Sequence, residues 1–318
     1  MMKKLLILCL CATLCLSCAC AELSAPAAEE PAAEEAASGE TLSLTAAAPI
    51  DVTSYTVYGA APSEDGFTEN GYADDSIVVE MSRVWVNDAC YNVAHVWVAD
   101  ASQLRTALAG KLGKKTNYVW NIAKNANAVV AIGGEDLAEN TGTYTVRQTV
   151  VERKKGYAKR DTLMIDQNGD FHVTDGFSKD TLDAWTAEGL QAINLFNFGP
   201  VLVENGVARE ISKDYGVGNV TAREPRTAIG QVGPLEYIMV VVDGRNVKDP
   251  AEDGSLKESL GSSMQTVANF MAEQGCVAAY ALDGGGSAVM YFHGEAYSNP
   301  SSKRGVSDIV YFATAVGE

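Results

Sequence analysis

The sequence has few of the residues that build disulfide-stapled or metal-centred folds. It contains seven cysteines and three histidines in 318 residues, and five of the cysteines lie within the first 20 positions. The two others, Cys90 and Cys276, are too few for a stapled scaffold. One disulfide between them is allowed, but two separate buried thiols are favoured, because free cysteine packs as a small apolar residue. No cysteine and histidine cluster has zinc-site spacing, so we expect no metal and no cofactor.

Basic residues are also scarce. Lysine and arginine total 24 against 41 aspartate and glutamate residues, which gives a formal net charge of −17. A chain with so strong a negative balance is disfavoured as a partner of nucleic acid or of anionic membrane surfaces. Any phosphate-binding site must therefore be a local basic pocket.

The first residues have the composition of an export signal. Residues 1–21 contain two lysines, then an apolar run, and end in the small-residue sequence ACA at residues 19–21. The run is short for a membrane span, so the sequence predicts export without a stable span, with cleavage before Glu22. A lipid anchor on Cys18 or Cys20 is the alternative, although neither cysteine has the full small-residue spacing of such a site.

The next segment differs in composition from the rest of the chain. Residues 22–48 are rich in Ala, Glu, Pro and Ser and contain no basic residue, which predicts a flexible acidic linker. Residues 49–318 contain no obvious linker or repeat and are long enough for a full core, so we predict one domain. The predicted location is secreted or extracytoplasmic, with tethering to the cell surface as the alternative.

Strand signals dominate the predicted domain. Runs rich in Val, Ile, Tyr and Thr predict strands at residues 76–85, 94–98, 128–132, 144–151, 162–165, 202–203, 237–242, 278–282, 288–292 and 308–313. Three helices are predicted, at 103–109 after a Ser102 cap, at 117–125 after a Thr116 cap, and at 262–274 before Gly275. Together they predict an α+β fold with a mixed, mainly antiparallel β-sheet core and interspersed helices.

The most informative segment is YALDGGGSAVMYFHG at residues 280–294. A predicted strand ends at Asp283, three glycines and Ser287 follow, and a second predicted strand begins. Glycine allows close approach of a ligand or backbone and also adopts left-handed conformations. The pattern favours a binding or catalytic loop, although an ordinary glycine-rich hairpin turn would contain the same residues.

Several other segments occur in an order that matches one family. They are AIGG at 131–134, FGPVLVENG at 198–206, PRTAIGQ at 225–231, VVDGR at 241–245 and NPSSKRGVS at 299–307. From roughly residue 51 to the C-terminus, the chain resembles the phosphodiester glycosidase family. The resemblance implies an α+β fold and hydrolysis of the glycosidic bond of a sugar-1-phosphodiester to a free sugar and a phosphomonoester. The expected partner is such a diester or an envelope glycan.

A sugar-1-phosphodiester requires a carboxylate near the anomeric carbon and donors around the phosphate. The carboxylate would activate water or attack the carbon, whereas the leaving phosphomonoester needs little protonation. The candidate catalytic residues are Asp283, Asp243 and Glu135. The candidate substrate-binding residues are Arg226, Thr227, Arg245, Gly284, Gly285, Gly286, Ser287, Asn299, Arg304 and Ser307, the arginines being matched to phosphate oxygens. Surface ion pairs for the arginines and a plain Asp-Gly turn at Asp243 are the alternative interpretations.

One segment departs from the family pattern. Family members usually read Ala-Ile-Asn-Gly-Asp and then an aromatic residue, whereas this chain has Gly133, Gly134, Glu135 and Asp136 after Ala-Ile. Glu135 or Asp136 would have to compensate for the missing amide, although a carboxylate only accepts hydrogen bonds. A non-catalytic binding protein for envelope glycan or phosphodiester polymers is therefore a second hypothesis. A phosphodiesterase that cuts the P–O bond is a third, and it would be expected to need a metal cluster that the sequence does not show.

Overall fold

The computed structural model describes residues 43–46, 48–137, 143–153 and 159–316. The predicted signal, its lipidation cysteines and nearly all of the acidic linker lie outside the described residues. No helix within the described ranges is long and apolar enough to cross a membrane.

The described residues are mostly strand. The strands are β1 Phe67–Thr68, β2 Gly71–Ala73, β3 Ile77–Val86, β4 Ala89–Val98, β5 Leu104–Leu108, β6 Val130–Gly133, β7 Thr145–Arg147, β8 Val150–Arg153, β9 Thr162–Asp166, β10 Phe171–Thr174, β11 Ala192–Phe196, β12 Val201–Glu204, β13 Val207–Ala208, β14 Arg226–Gly233, β15 Glu236–Val242, β16 Val247–Pro250, β17 Leu256–Ser259, β18 Ala278–Leu282, β19 Met290–Phe292, β20 Glu295–Ala296 and β21 Asp308–Phe312. The α-helices are α1 Val119–Asn125, α2 Lys179–Ala187 and α3 Met264–Glu273, and short 3₁₀ turns cover Glu64–Gly66, Ala101–Gln103 and Gly285–Ser287.

The strands form three larger sheets and a ribbon. A nine-stranded sheet has the order β1-β2-β3-β4-β15-β14-β18-β12-β13, and two five-stranded sheets have the orders β20-β19-β6-β21-β5 and β10-β9-β11-β7-β8. Strands β16 and β17 pair as a separate two-stranded ribbon. The pairings are antiparallel, for example β14 with β15 and with β18. The predicted single-domain α+β fold with a mainly antiparallel core is confirmed.

The nine-stranded sheet is covered on both faces. Helix α3 packs Val267, Ala268 and Met271 against alternate residues of the central strands, among them Ala228 of β14 and Ala281 of β18. The residues between them, such as Ile229 and Tyr280, face the main core with side chains of the other two sheets. Ser263 caps α3 by accepting a hydrogen bond from the Thr266 amide, and Gly275 follows the helix with φ +83°, as the sequence predicted.

The predicted helix at 103–109 is wrong. Residues Leu104–Leu108 form β5, which pairs along its whole length with β21. Asp100, and not Ser102, caps the short 3₁₀ turn before it. The predicted Thr116 cap is also wrong, since α1 begins after Tyr118 without a side-chain cap. Pairing with a strand 200 residues away in sequence overrides the local helical pattern here.

A fully buried arginine joins the two five-stranded sheets. Arg147, on β7, donates from Nη2 to Glu135 Oε2 at 2.6 Å, and from Nε to Asp308 Oδ2 at 2.8 Å. Its Nη1 donates to the Leu195 carbonyl of β11 at 2.6 Å. All three charged side chains are 0% exposed. Glu135 follows β6 and Asp308 begins β21. This cluster therefore fixes the end of β6 and the start of β21 relative to β7.

Replacement of Arg147 by methionine should strongly destabilise the fold. The change leaves two buried carboxylates without their cation, which typically costs about 3–5 kcal/mol of unfolding free energy. Urea denaturation at pH 7 measures the loss. The matched control is Arg209→Met, because Arg209 pairs with Asp175, whose side chain is 70% exposed, and a surface pair contributes about 0–1 kcal/mol. Equal losses in the two variants would contradict a structural role for the buried cluster.

Candidate active site

The Asp-Gly-Gly-Gly-Ser segment crosses from one sheet to another. Strand β18 ends at Leu282 in the nine-stranded sheet, whereas β19 pairs with β6 in a five-stranded sheet. The Asp283 amide donates to the Gly134 carbonyl at 3.0 Å, so the ends of β18 and β6 meet at this carboxylate. The hairpin interpretation of this segment is therefore wrong, and the loop lies where two sheets converge.

The first two glycines of this segment are favoured for different reasons, close packing at Gly284 and backbone conformation at Gly285. A Cβ atom at Gly284 would lie 2.7 Å from the Pro225 carbonyl oxygen, which is shorter than real contacts allow. Gly285 has φ +57°, a left-handed conformation that glycine adopts at little cost, and a Cβ there would lie 3.2 Å from Arg245 Nη2. The loop thus packs directly against the start of β14 and the arginine that follows β15.

An open cleft of about 580 Å³ lies beside this loop. Four arginines line it, namely Arg160, Arg226, Arg245 and Arg304. Three acids share the lining, namely Asp136, Glu224 and Asp283. In a chain with a net charge of −17, this concentration of arginine marks the local basic pocket that the composition required for binding phosphate.

Arg226 is the most firmly held of the four arginines. Its Nε donates to the Ser262 carbonyl at 2.9 Å, and its Nη2 donates to the carbonyls of Asn219 and Ala222 at 2.7 and 2.8 Å. The residue is 6% exposed, and this burial lowers its pKa, although arginine stays charged. Nη1 makes no hydrogen bond with the part of the chain that is described. The side chain is therefore a fixed cation that keeps two donors for a ligand.

The other arginines lie nearer the mouth of the cleft. Arg245 has φ +58° in the turn after β15 and donates from Nε to Glu224 Oε2 at 2.8 Å. Arg160 donates from Nη2 to the Gly216 carbonyl at 2.9 Å. Arg304 donates from Nη2 to Asp136 Oδ2 at 3.1 Å, and its side chain is 49% exposed.

Asp283 is a mostly buried carboxylate beside these cations. Its side chain is 17% exposed, and its Oδ2 lies 3.9 Å from Arg304 Nη2. Burial raises the pKa of Asp283 to about 6, although Ser287 and Arg304 lower it. Near neutral pH the group is therefore mainly ionised but poorly solvated, which suits a proton acceptor or a nucleophile.

A second, smaller pocket of about 110 Å³ adjoins the other side of the same carboxylate. Asp136, Asp283 and Arg304 line both cavities, so they form the partition between them. Ser287 and Ser307 line the small pocket. The Ser287 hydroxyl lowers the pKa of Asp283, yet its buried Oγ makes no hydrogen bond of good geometry with the described residues.

The structure brings together most of the predicted site residues. The large cleft is lined by Asp283, Gly284, Gly285, Arg226, Arg245 and Arg304, and the small pocket also by Glu135, Ser287 and Ser307. Gly286 packs behind the loop, where a Cβ atom would lie 2.5 Å from Ser302 Oγ. Asp243, Thr227 and Asn299 line neither cavity.

The three residues outside the cavities have other surroundings. Asp243 is 2% exposed, and its Oδ2 accepts a hydrogen bond from Asn92 Nδ2 at 2.6 Å. Both of its carboxylate oxygens lie 3.1 Å from the Asn299 amide nitrogen. Thr227 is 1% exposed and lies on the opposite face of β14 from Arg226. A catalytic role for Asp243 and substrate contacts from Thr227 and Asn299 stay predictions.

The structure shows the surroundings of the residues that depart from the family pattern, Gly133, Glu135 and Asp136. Glu135 is 2% exposed, with Oε2 bonded to Arg147 and Oε1 accepting from the Asn197 amide at 2.7 Å. Asp136, the next residue, lies on the wall of both cavities instead. At Gly133 a Cβ atom would lie 2.7 Å from the Ser287 carbonyl oxygen. A side chain at Gly133 would therefore force the backbone of the Asp-Gly-Gly-Gly-Ser segment to move.

Sequence reasoning missed part of the cleft. Arg160 and Glu224 line it, but neither belongs to a chemical motif that could have identified it. The loop at 216–219, with sequence GVGN, contributes further lining, and its two glycines indicated a loop, in which Gly218 has φ +53°.

Comparison with known proteins agrees with this geometry. The family model for phosphodiester glycosidase matches residues 119–313, which is more than half of the chain. The chain belongs to the phosphodiester glycosidase family. The match extends from α1 to the residue after β21 and includes both cavities' arginines and carboxylates.

Individual relatives of this phosphodiester glycosidase are distant. A prophage-derived protein of Bacillus subtilis (strain 168), YomE, described as uncharacterized, is 25% identical over 188 residues. The alignment covers 58% of this chain and 27% of YomE, so the chain spans about a quarter of that relative's length.

Two solved structures share the fold. The catalytic domain of zebrafish N-acetylglucosamine-1-phosphodiester alpha-N-acetylglucosaminidase, auto-inhibited by its pro-peptide, superposes with a TM-score of 0.57 and 19% identity, covering 80% of this chain and 87% of that one. A hypothetical protein from Synechocystis superposes with a TM-score of 0.51 and 15% identity, covering 74% of this chain and 62% of that one.

The raised pKa of Asp283 predicts a pH-dependent gain in stability when the charge is removed. Because the folded protein binds this proton more tightly than the unfolded chain, the contribution of Asp283 to stability falls as pH rises from about 4 to about 6 and is then level. Asp283→Asn avoids that loss. The free energy of unfolding of the variant, minus that of wild type, should therefore be about 1–3 kcal/mol larger at pH 7.5 than at pH 4.

Urea denaturation of both proteins across pH 4–8 measures this difference. The control is Asp253→Asn, because hydrogen bonds from Ser255 lower the pKa of exposed Asp253, so its removal should give no gain. A pH-independent difference between wild type and Asp283→Asn would show that Asp283 does not titrate near 6.

Proposed function

We propose that this phosphodiester glycosidase is an exported hydrolase that cleaves the C1–O bond of a sugar-1-phosphodiester, with Asp283 as the reacting carboxylate. The supporting observation is the position of Asp283 on the wall between two cavities, in a cleft lined by four arginines. The products are a free sugar and a phosphomonoester.

The arginines account for recognition of the phosphate. A phosphodiester carries one negative charge and two non-bridging oxygens, and a guanidinium can donate to both at once. Arg226 retains Nη1, and Arg245 uses only Nε in its ion pair with Glu224. These donors are fixed before the ligand arrives, so they stabilise negative charge that develops on the leaving phosphate with little rearrangement.

Asp283 accounts for attack at the anomeric carbon. In one course, a water attacks C1, the C1–O electron pair leaves with the phosphate oxygen, and the water's proton passes to Asp283. In the other, a carboxylate oxygen of Asp283 bonds to C1 as the C1–O bond breaks and its electron pair leaves with the phosphate oxygen. Water then hydrolyses the glycosyl ester, which releases the free sugar and returns the Asp283 carboxyl group. Both courses need an ionised carboxylate, and a leaving phosphomonoester needs no strong acid.

The dimensions of the site suit a substrate of this size. A cleft of about 580 Å³ is in the range of small-molecule sites, and its lining is dominated by charged groups and loop backbone. Asp136, held by Arg304, is the second carboxylate at the partition and could orient the attacking water or a sugar hydroxyl. Glu135 is bonded to Arg147 and serves to position the neighbouring backbone.

Export is supported by the sequence of the first residues. Residues 1–21 have the charged, apolar and small-residue parts of a secretory signal in order. The described residues contain no helix that could span the membrane. A location outside the cytoplasm would give the enzyme access to envelope phosphodiesters, which are the substrates that we propose.

Binding without turnover is the second candidate function. It is favoured by Gly133, since the Ser287 carbonyl occupies the space that a side chain at this position would need. The family's amide donor is therefore missing from the site, and the same arginines would still hold a phosphodiester.

Asp283→Asn separates the two candidates. The variant should lower kcat on α- or β-sugar-1-phosphodiesters by about 100-fold or more while remaining folded, because the amide cannot accept the proton or attack C1. The measurement is turnover over a panel of such diesters, with both products identified. Asp253→Asn is the control, since that carboxylate is exposed on the turn of the β16–β17 ribbon, outside the cleft.

The outcomes distinguish the candidates clearly. Free sugar and phosphomonoester from wild type, lost in Asp283→Asn alone, support the hydrolase. Wild type that binds the panel without turnover supports the binding protein. A fully active Asp283→Asn variant removes Asp283 from the mechanism.

Two of the less buried cleft arginines, Arg245 and Arg160, should matter for affinity and not for folding. Arg245→Gln and Arg160→Gln should each weaken binding of an inert phosphonate analogue by about 10-fold or more, since each removes a charged donor. Titration calorimetry measures the dissociation constants. Arg209→Gln is the control, because Arg209 pairs with Asp175 away from the cleft. Unchanged affinity in both cleft variants would show that the phosphate binds elsewhere.

A further inference from the structure

Three potential metal ligands meet beneath the β16–β17 ribbon. They are the Cys90 thiol of β4, the Asp243 carboxylate that follows β15 and the Asp249 carboxylate of β16. One ligand atom from each lies within 4.8 Å of the others, and all three residues are buried. None of the three lines the cleft or the small pocket, so this cluster is separate from the candidate active site.

The Asp249 carboxylate points to a missing partner. Asp249 is 2% exposed, and its Oδ2 is buried without a hydrogen bond to any described residue. Burial raises the pKa of Asp249 more than Asn299, Arg83 and Asp243 lower it, so a buried carboxylate oxygen without a hydrogen bond remains costly here. Native proteins usually satisfy such an atom with an ion, a proton or a water.

The cluster also lacks a dedicated counter-ion. Arg83 is the cation that acts on all three groups, but its Nε donates to Asn92 Oδ1 at 3.2 Å and its Nη2 to the Tyr297 carbonyl at 2.7 Å. Arg83 is therefore shared with an asparagine and a backbone carbonyl outside the cluster.

The donor set selects among cations. Mg²⁺ and Ca²⁺ favour shells made of oxygen, whereas a thiolate with carboxylates suits Zn²⁺. Zn–S bonds of about 2.3 Å and Zn–O bonds of about 2.0–2.2 Å let one ion join three atoms so close together, after small side-chain shifts. A water or a second carboxylate oxygen would supply the fourth ligand.

We propose that Cys90, Asp243 and Asp249 bind one structural Zn²⁺. The hydrogen bonds from Asn92 and from the Asn299 amide to Asp243 hold its carboxylate in place, as ligand carboxylates are commonly held. The ligands come from distant parts of the sequence and include a single cysteine, so no zinc spacing was visible there. Through Asn299, the ion would secure the start of the loop that carries Arg304.

Metal analysis and a cobalt spectrum test this site in the purified protein. Elemental analysis should give about one zinc per chain, and removal with a chelator should lower Tm by several degrees, with recovery on adding ZnCl₂ but not MgCl₂ or CaCl₂. Cobalt added to the chelated protein should give a thiolate charge-transfer band, because Co²⁺ takes the same ligands.

The two buried cysteines provide a matched pair of variants. Cys90→Ala should lose the cobalt band, and Cys276→Ala, which alters a thiol in the α3 core, should keep it. Asp249→Asn should weaken zinc binding by 10-fold or more and serves if Cys90→Ala does not fold.

The contrary outcomes are equally definite. Absence of zinc together with an unchanged Tm and no cobalt band would overturn the proposal and leave a proton shared by Asp243 and Asp249. A band that persists in Cys90→Ala, or equal stabilisation by MgCl₂ or CaCl₂, would also overturn it.

Discussion

The buried contact of Arg147 with Glu135 and Asp308 is the constraint on which the site depends. It joins β7 to the end of β6 and the start of β21, and the Asp308 carboxylate also accepts a hydrogen bond from the Glu135 amide. The Gly134 carbonyl in this same segment receives the Asp283 amide. A charge cluster with no solvent exposure thus sets the position of the backbone that holds the Asp283 carboxylate. Burial raises the pKa of Asp308 to about 6 although Arg147 lowers it, so the cluster tolerates little loss of charge balance.

The charge of the cleft differs from that of the chain as a whole. The chain as a whole carries excess negative charge, but the cleft gathers four arginines whose donors are partly used by backbone carbonyls and acids. The positive charge that the proposed phosphate site requires is therefore local to the cleft. Asp283 remains in the cleft at a cost to stability, because burial opposes its charge. Such a cost is common at functional positions, but the buried Asp308 carries it as well, so the position of Asp283 on the wall of the cleft, and not its pKa, distinguishes the two carboxylates.

The sequence predicted the core better than the connections. The bounds of strands such as Glu236–Val242 and Ala278–Leu282 agree with the predicted bounds to within one residue, because short apolar runs between turn signals favour buried strands. Leu104–Leu108 was taken for a helix, since its pairing with β21 is invisible to a local pattern. Arg160 was missed for the same reason, because only the fold brings it to the cleft. Site residues next to glycine, such as Asp283, were easier to predict, because a position where another backbone segment approaches closely often requires glycine, which is visible in the sequence.

Asp243 and Asp283 show where sequence reasoning reaches its limit. Each follows an apolar strand and precedes glycine, and the two strands, β15 and β18, both flank β14 and end at the same edge of the nine-stranded sheet. After Asp283 the chain crosses to another sheet and leaves the carboxylate on the wall of two cavities. After Asp243 the chain turns into the β16–β17 ribbon, which contributes Asp249 to the buried cluster. The same dipeptide therefore has two environments, and the direction of the following chain, which depends on distant partners, decides between them.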